Sequence, residues 1–542
     1  MIQRKTLYIP LLFASLVMMA VFLFADRYIA RHMEGTDAFQ KMFYLLALLN
    51  GVMAVGGFFL LKVKKLRLET VFLPVALILG MTYSLMIPPV AAPDESLHLG
   101  FVYAEAEKMR GWDTDEYNED RSVGTQFLRR IEAEHGLQQA DINAAYYAEL
   151  FPRLKEKEES GELVELKYSN NHEVPHIVYW PGAVGVNLGR SLRLGAVPTF
   201  YLGRFFNLLV FLFAGFYALR RMPFGKELLF AVMLLPMVLQ EVNSFSCDSM
   251  ILSMAFLAAA LIFHFAYDEI SFRRQEGKYA GKPDPVVIID LGLLGVASFL
   301  LAECKYGACL PVCLLALLIP LRRWKSAKKN RSSDGITVKT GRLLSLIVIV
   351  MVLLGIFGGF LPSIYQTFHS VVLDNAAAPN YTAGYVLTHP YHIFTILGNT
   401  IHTYADHYIY SLIGTSLGWY DIVLPRHLGV FFLVILFFLL IRGKEDRRIE
   451  AVSEKVLIGI CCFLGVVMAV GGMLIGNTPQ TENEIIGVQG RYFLPYFLPF
   501  LLLLIPKRIT VSGNNEDYAR TGIFAVLVLQ FVFVMTMFIR AF

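Results

Sequence analysis

Charged side chains are scarce in this chain. Only 17% of its 542 residues are Asp, Glu, Lys or Arg, whereas 56% are hydrophobic, and the mean hydropathy is +0.54. Soluble globular domains carry about 25% charged residues. The 48 basic and 44 acidic residues nearly balance, for a net charge of +4, and the basic ones are bunched between apolar runs. This composition predicts a polytopic membrane protein and does not favour a nucleic-acid partner.

Motifs for nucleotide or metal chemistry are also lacking. The six cysteines lie in or beside apolar runs without spaced histidines, so neither a zinc site nor a disulfide framework is predicted. No Walker-A loop, G-x-S-x-G elbow, H-E-x-x-H motif or dinucleotide fingerprint occurs. His389, His392, His402 and His407 occur close together, but the spacing of the last two is poor for joint ligation on a helix. We therefore predict no cofactor.

Apolar runs of spanning or near-spanning length recur along the chain. By the usual criterion of roughly 20 residues, they predict about thirteen transmembrane helices in an all-α fold. The runs are 7–25, 42–61, 71–89, 199–219, 228–245, 249–267, 286–302, 305–321, 343–361, 427–441, 456–475, 491–506 and 522–539. The first run follows two basic residues, as in a signal peptide. It is long enough to span and no cleavage site follows it, so we expect a retained helix.

Basic clusters predict the orientation of these helices. They lie at 62–67, 220–226, 322–331, 442–448 and 507–508. All of them fall on one side of the alternating arrangement, and the positive-inside rule makes that side cytoplasmic, with the N-terminus inside. The chain then divides into N-terminal helices (1–89), a first outer loop (90–198), central helices (199–361), a second outer loop (362–426) and C-terminal helices (427–542).

The two long outer loops are where we expect the chemistry. In the first, the polar stretch 113–173 has the composition of a small helical cap. The apolar stretch 174–198 is too broken by Pro and Gly for a confident span, and predicts an interfacial or re-entrant helix. The second loop is rich in Tyr, His and Trp, which is typical of juxtamembrane helices at a membrane surface.

The stretch "AAPDESLHLG" at the start of the first outer loop carries Asp94, Glu95 and His98. On a helix that starts near Pro93, Asp94 and His98 are i, i+4 neighbours on one face. Such a group can form a general base for a hydroxyl nucleophile. The alternative is that one of the acids only caps a juxtamembrane helix.

Further charged groups are predicted on the same outer side. Glu241, Asn243 and Asp248 form a polar hairpin between two apolar runs, which suggests a functional cavity or, alternatively, a solvated turn. Lys305 precedes an apolar run and either snorkels or receives an anionic head group.

Arg204 and Arg491 lie at outer helix ends, against the positive-inside tendency. Arginine is suited to bidentate phosphate binding, and the alternative for Arg491 is an aromatic-belt anchor beside Tyr492.

Several sequence motifs of this chain resemble those of known protein families. "VYWPGAVG" and "YLGRFFNLL...ALRRMPFG" resemble the C-type (GT-C) glycosyltransferase clan. More narrowly, "PPVAAPDESLH", "IGTSLGWYDIVLP" and "VQGRYFLPYFLP" resemble a bacterial family of polytopic membrane proteins of unknown function (DUF2142-type) that is grouped with that clan. The resemblance runs from about Pro88 to the end of the chain, so the first two helices are additional to the usual clan layout.

The resemblance implies an inverting transferase that takes a sugar from a polyprenyl-phosphate donor, such as undecaprenyl phosphate, at the outer face of a bacterial cytoplasmic membrane. The acceptor is a cell-envelope glycan or a related molecule. By the same resemblance Asp94 is the candidate base, Glu95 its alternate or helper, and His98 its orienting group. The resemblance also matches Asp248 to the second acid of the clan. Together with it we predict Lys305, Arg204, Arg491 and Tyr492 as substrate-binding residues. The sequence leaves open whether Asp94 and Asp248 share a divalent ion.

Two other functions remain open from the sequence. The spans and polar residues also suit a flippase or exporter of lipid-linked saccharide, although no inverted repeat is visible. A non-catalytic membrane scaffold explains the spans but not the acids and bases gathered on one side.

Overall fold

The computed structural model describes residues 8–32, 37–111, 144–155, 157, 174–268, 285–322, 379–512 and 514–540. The predicted span 343–361 lies outside the described residues. So do most of the predicted cap at 113–173, the first part of the second outer loop and most of the basic cluster at 322–331.

The described residues are mostly helical, as predicted. The helices are α1 Ile9–His32, α2 Asp37–Phe58, α3 Leu68–Met86, α4 Glu95–Met109, α5 Ala144–Arg153, α6 Trp180–Ser191, α7 Ala196–Arg221, α8 Lys226–Met233, α9 Pro236–Val242, α10 Asp248–Tyr267, α11 Pro285–Glu303, α12 Leu310–Leu314, α13 Ala383–Thr388, α14 Pro390–Ile413, α15 Arg426–Leu440, α16 Val452–Asn477, α17 Leu494–Leu503 and α18 Asn515–Arg540. Two short strands, β1 Ser416–Leu417 and β2 Ile422–Val423, pair antiparallel between α14 and α15.

Eight helices in the described part of the chain are long and apolar enough to cross a membrane. They are Ile9–His32, Asp37–Val63, Leu68–Met86, Ala196–Arg221, Asp248–Tyr267, Pro285–Glu303, Val452–Asn477 and Asn515–Arg540. Leu310–Arg322 and Arg426–Leu440 are shorter apolar helices. The membrane character is thus confirmed, and the finer expectation of about thirteen spans remains a prediction.

Some predicted spans are interrupted where proline starts a new helical turn. The run 228–245 divides into α8 and α9 because Pro236, at the first position of α9, has no N–H with which to continue the preceding helix. The run 491–506 likewise begins with a 3-10 turn at Gly490–Phe493 before α17. A further break, between α9 and α10, carries the polar residues of the predicted hairpin.

The core is built around α7, which packs against α3, α6 and α10. Close approach is possible because Gly185 of α6 lies against the backbone of Leu202, where a Cβ would come within 2.5 Å of the carbonyl oxygen. On the other side, α18 packs against α1, α2 and α15. α6 has 12 residues and is too short to span a membrane, and its predicted place at the membrane interface stays a prediction.

Contacts between distant helices define the two ends of the bundle. At one end Lys62, after α2, forms an ion pair with Asp517 of α18 at 2.6 Å. In the interior, Tyr83 of α3 donates a hydrogen bond to Gln530 of α18 at 2.9 Å. At the opposite end α3 stops at Met86, and the chain turns through Pro88 towards Asp94.

Candidate functional site

Asp94 lies at the N-terminus of α4, in a left-handed backbone conformation with a φ of 60°. Its side chain makes no capping hydrogen bond to the helix. Instead, Asp94 Oδ2 accepts a hydrogen bond from Arg491 Nη2 at 2.8 Å, and the side chain remains 42% exposed. The carboxylate is therefore accessible and held by a cation, which differs from the capping role left open by the sequence.

Arg491 is the centre of a buried cluster of carboxylates. Its side chain is only 1% exposed, and its Nη1 lies 3.0 Å from Glu241 Oε2 and 3.3 Å from Asp248 Oδ2. Its Nε donates to Gln489 Oε1 at 2.5 Å. The break between α9 and α10 brings Glu241 and Asp248 to this point, and the 3-10 turn before α17 brings Arg491.

Lys305 is the second cation of the cluster. Its Nζ lies 2.5 Å from Asp248 Oδ1 and 4.9 Å from the centroid of the Tyr492 ring. The side chain of Lys305 is 29% exposed, whereas that of Arg491 is 1% exposed. Lys305 has a positive φ of 50° and lies in the 3-10 turn that follows α11.

His98 stands one turn beyond Asp94 on α4. Its Nδ1 lies 2.8 Å from the Tyr179 hydroxyl, and the Tyr179 ring stacks on Phe101. Burial lowers the pKa of His98 to about 4, although the charge of Asp94 opposes that shift. We conclude that His98 is neutral at physiological pH. Its hydrogen bond to Tyr179 connects two parts of the first outer loop.

Glu95 and Arg204 lie beneath the site and are completely buried. Arg204 holds the Glu95 carboxylate through Nε at 2.8 Å and Nη2 at 2.5 Å. It also donates to three backbone oxygens at the end of α3, and Glu95 accepts from the Phe245 N–H at 3.0 Å. A buried charge pair is stable only when its remaining polar atoms are satisfied, as they are here.

This burial corrects two expectations. Glu95 was predicted as a catalytic helper and Arg204 as a substrate-binding residue, but neither side chain is exposed to a ligand. The pair instead anchors the loop that carries Asp94. The other predicted residues, Asp94, His98, Asp248, Lys305, Arg491 and Tyr492, are brought together at one end of the bundle.

Some residues of the site were not predicted to belong to it. Glu241 was noted in the polar hairpin, but its contact with Arg491 was not foreseen. Gln240 links Glu241 to the second outer loop, since its Nε2 donates to Glu241 at 3.2 Å and its Oε1 accepts from the Gly418 N–H at 2.7 Å. Gln489 also belongs to the site, and its position two residues before Arg491 is a sequence signal that could have identified Gln489.

The arrangement presents one accessible carboxylate and one accessible cation above a buried ionic network. Three carboxylates (Asp94, Glu241 and Asp248) face two cations (Arg491 and Lys305). Such a site can accept a proton at Asp94 and stabilise an anion at Lys305. Among the described residues, no group of three or more His, Cys, Asp or Glu side chains is arranged to hold a metal ion.

Comparison with known proteins gives one family. The model of a family described as "Predicted membrane protein (DUF2142)" matches residues 77–503. No curated protein and no solved structure matches the chain. The match covers most of the chain and includes all the residues of the cluster, so the chain belongs to this family.

Proposed function

We propose that this member of a family of predicted membrane proteins is an inverting glycosyltransferase of the C type. It moves a sugar from a polyprenyl-phosphate-linked donor to a cell-envelope glycan or related acceptor. The observation that carries the proposal is the position of Asp94, whose accessible carboxylate lies at the mouth of the buried network, near the accessible Lys305.

In this reaction the oxygen of an acceptor hydroxyl forms a bond to the anomeric carbon of the donor sugar. The bond between that carbon and the donor phosphate oxygen breaks, and the polyprenyl phosphate leaves as an anion. Because the leaving group is already a stable anion, the enzyme needs a base for the hydroxyl proton more than a strong acid. Asp94 takes this proton.

Arg491 supports Asp94 from behind. With only 1% of its side chain exposed, it is a positioning residue, although the sequence suggested that it contacts the phosphate. Its guanidinium holds the Asp94 carboxylate in place at 2.8 Å, while Glu241 and Asp248 compensate its own charge.

Lys305 is the group that meets the phosphate. Its side chain is 29% exposed, and its ammonium lies between Asp248 and the Tyr492 ring. As the donor bond breaks, negative charge accumulates on the phosphate oxygens, and a preorganised cation stabilises that charge without solvent reorganisation.

The orientation of the chain supports activity at the outer face of a bacterial cytoplasmic membrane. The end of the bundle opposite Asp94 carries basic residues in the short connections, including Lys62, Lys64, Lys65 and Arg67 between α2 and α3. By the positive-inside rule that end is cytoplasmic. Polyprenyl-phosphate donors are then met at the opposite face, by Asp94.

The test is sugar transfer by the purified full-length protein in lipid nanodiscs. Radiolabelled polyprenyl-phosphate sugars are offered with envelope extracts, and wild type is compared with Asp94→Asn at equal folded yield. The matched control is Asp406→Asn, because Asp406 is an exposed aspartate of the second outer loop, paired only with the exposed Arg426 among the described residues.

We expect transfer by the wild type and by Asp406→Asn, with a loss of roughly 10²–10⁴-fold in Asp94→Asn, as for removal of a general base. Equal transfer in Asp94→Asn removes Asp94 from the mechanism. Transbilayer movement of a labelled lipid-linked saccharide without a new glycosidic bond supports the flippase instead. If the protein shows neither sugar transfer nor lipid movement with all donors tried, the result supports the scaffold.

A further inference from the structure

The turn between β1 and β2 lies directly beside the ionic network. The Gly418 N–H donates to Gln240, which donates to Glu241, and Glu241 pairs with Arg491. A Cβ on Gly418 would lie 3.5 Å from the carbonyl oxygen of Ala91, three residues before Asp94. The turn therefore contacts both the loop that carries Asp94 and the network behind it.

Trp419 and Tyr420 occupy the middle of this turn. The indole Nε1 of Trp419 and the hydroxyl of Tyr420 are both buried, and neither has a hydrogen-bond partner among the described residues. The two residues as a whole are only partly buried, whereas these two polar atoms are fully buried. A buried polar group without a partner costs on the order of 1–3 kcal/mol, so two adjacent ones require an explanation.

The backbone of Tyr420 is also in an unusual conformation. Its φ is 72°, in the left-handed region that non-glycine residues seldom adopt. The ring is held in place by His407 of α14, whose centroid lies 4.6 Å away at an interplanar angle of 71°. Strained residues of this kind persist where the surrounding structure fixes them, and they occur preferentially at ligand sites.

The charges around Tyr420 belong to the proposed site. Arg491, Glu241 and Asp94 all act electrostatically on its hydroxyl, and burial raises its pKa well above the ordinary value. The hydroxyl is therefore neutral at physiological pH and able both to donate and to accept a hydrogen bond. The Trp419 indole can only donate.

We propose that Trp419 and Tyr420 form a subsite for a neutral pyranose unit of the acceptor, whose hydroxyls supply the partners missing from the indole N–H and the phenol. The identification of that unit as the acceptor rests on the proposed function. Sugar hydroxyls donate and accept, as the two side chains require, and the apolar face of the ring packs on aromatic rings. An anionic ligand is disfavoured because the loop that the turn contacts carries the exposed carboxylate of Asp94.

The position of the turn explains why the acceptor is the occupant. A general base must lie within hydrogen-bond reach of the proton that it removes. A sugar held by Trp419 and Tyr420 is presented to the loop that ends in Asp94. Because both polar atoms are closed to solvent in this structure, binding requires a small displacement of the Gly418–Asp421 turn.

The experiment measures binding and not transfer, with purified full-length protein in nanodiscs. The probes are neutral methyl glycosides of a hexose, a pentose and a deoxyhexose, each followed by saturation-transfer NMR. The corresponding sugar 1-phosphates serve as donor-like competitors. The variants are Tyr420→Phe, which removes only the hydroxyl, and Trp419→Phe. Tyr391→Phe, at a fully exposed tyrosine of the second outer loop, and Trp180→Phe are the matched controls.

We expect at least one neutral glycoside to bind the wild type and both controls, and to bind Tyr420→Phe and Trp419→Phe at least tenfold more weakly. Without ligand, Tyr420→Phe should be as stable as the wild type or more so, because it removes an unpartnered buried hydroxyl. Unchanged binding in Tyr420→Phe combined with lower thermal stability would show a structural role and overturn the proposal.

The remaining outcomes separate this inference from the proposed function. If no neutral glycoside binds, or if only the sugar 1-phosphates bind and Lys305→Gln abolishes that binding, the acceptor subsite is wrong even where transfer occurs. If the protein instead lacks transfer activity but binds a glycoside in a way that depends on Tyr420 and persists in Asp94→Asn, that result would support the subsite and contradict the transferase function.

Discussion

Arg204 and Glu95 form a bidentate ion pair in which neither side chain is exposed, at 2.8 and 2.5 Å. The same guanidinium donates to the backbone oxygens of Ser84, Ile87 and Pro88. It therefore connects α7, the end of α3 and the start of α4. The accessible Asp94 depends on this connection, because it lies between the residues that Arg204 holds.

We predict that Glu95→Gln and Arg204→Met each lower the stability of the protein strongly. Removing one partner of a buried ion pair leaves the other charge uncompensated, at a cost of about 3–5 kcal/mol. Folded yield and the thermal unfolding temperature in detergent measure the effect. As a control, Arg426→Gln breaks an exposed pair with Asp406, which contributes at most about 1 kcal/mol. Equal losses from the exposed and buried pairs would contradict the prediction.

We predict that His98 makes the protein less stable as the pH falls from about 6.5 to about 4. Its pKa is lowered to about 4 in the folded state, chiefly by burial and also by Lys305 and Arg491, against Asp94 and Asp248. In this window the unfolded chain binds a proton that the folded chain does not, so unfolding is favoured on acidification. Since His98 is partly exposed, we expect a loss on the order of 1–3 kcal/mol.

The measurement is thermal unfolding as a function of pH for wild type and His98→Asn. The asparagine retains a polar group opposite Tyr179 but cannot titrate, so its stability should depend less on pH in this window. His427→Asn, at an exposed histidine, is the control and should follow the wild type. The same slope in His98→Asn and wild type would exclude His98 as the cause.

We predict that Gly185→Ala destabilises the contact between α6 and α7. The added Cβ would lie 2.5 Å from the Leu202 carbonyl oxygen, and backbone cannot move aside as a side chain can. Overpacking of this kind costs about 1–3 kcal/mol. Gly459→Ala on α16, where nothing lies within 4 Å, should be neutral or slightly stabilising in the same unfolding assay. Similar effects of the two substitutions would show that α6 can shift away from α7.

Much of the fold could be predicted because apolar length is a local property. The runs that became α1, α7, α10 and α18 were all recognised from sequence. The division of 228–245 at Pro236 was not, since hydropathy does not register the missing N–H that separates α8 from α9.

The sequence predicted most of the residues of the site but not the contacts between them. Asp94 and Arg491 are 397 positions apart, and no pattern in a single sequence reveals that they touch. The different roles of the neighbouring Asp94 and Glu95 could not be predicted from the sequence either. They differ only in burial, which is decided by the position of Arg204 on α7.

The last prediction concerns Lys305, whose proposed role is to meet the donor phosphate. In Lys305→Gln we expect both a higher KM for the polyprenyl-phosphate donor and a lower kcat, because the cation contacts the phosphate in the ground state and its growing charge in the transition state. Lys305→Arg keeps the charge and should retain part of the activity. KM for the acceptor should be unchanged in both variants, since Lys305 contacts Asp248 and Tyr492, whereas the acceptor is proposed to bind at Trp419 and Tyr420. An increase confined to the acceptor KM would instead assign Lys305 to the acceptor side and leave the phosphate without a cation from this residue.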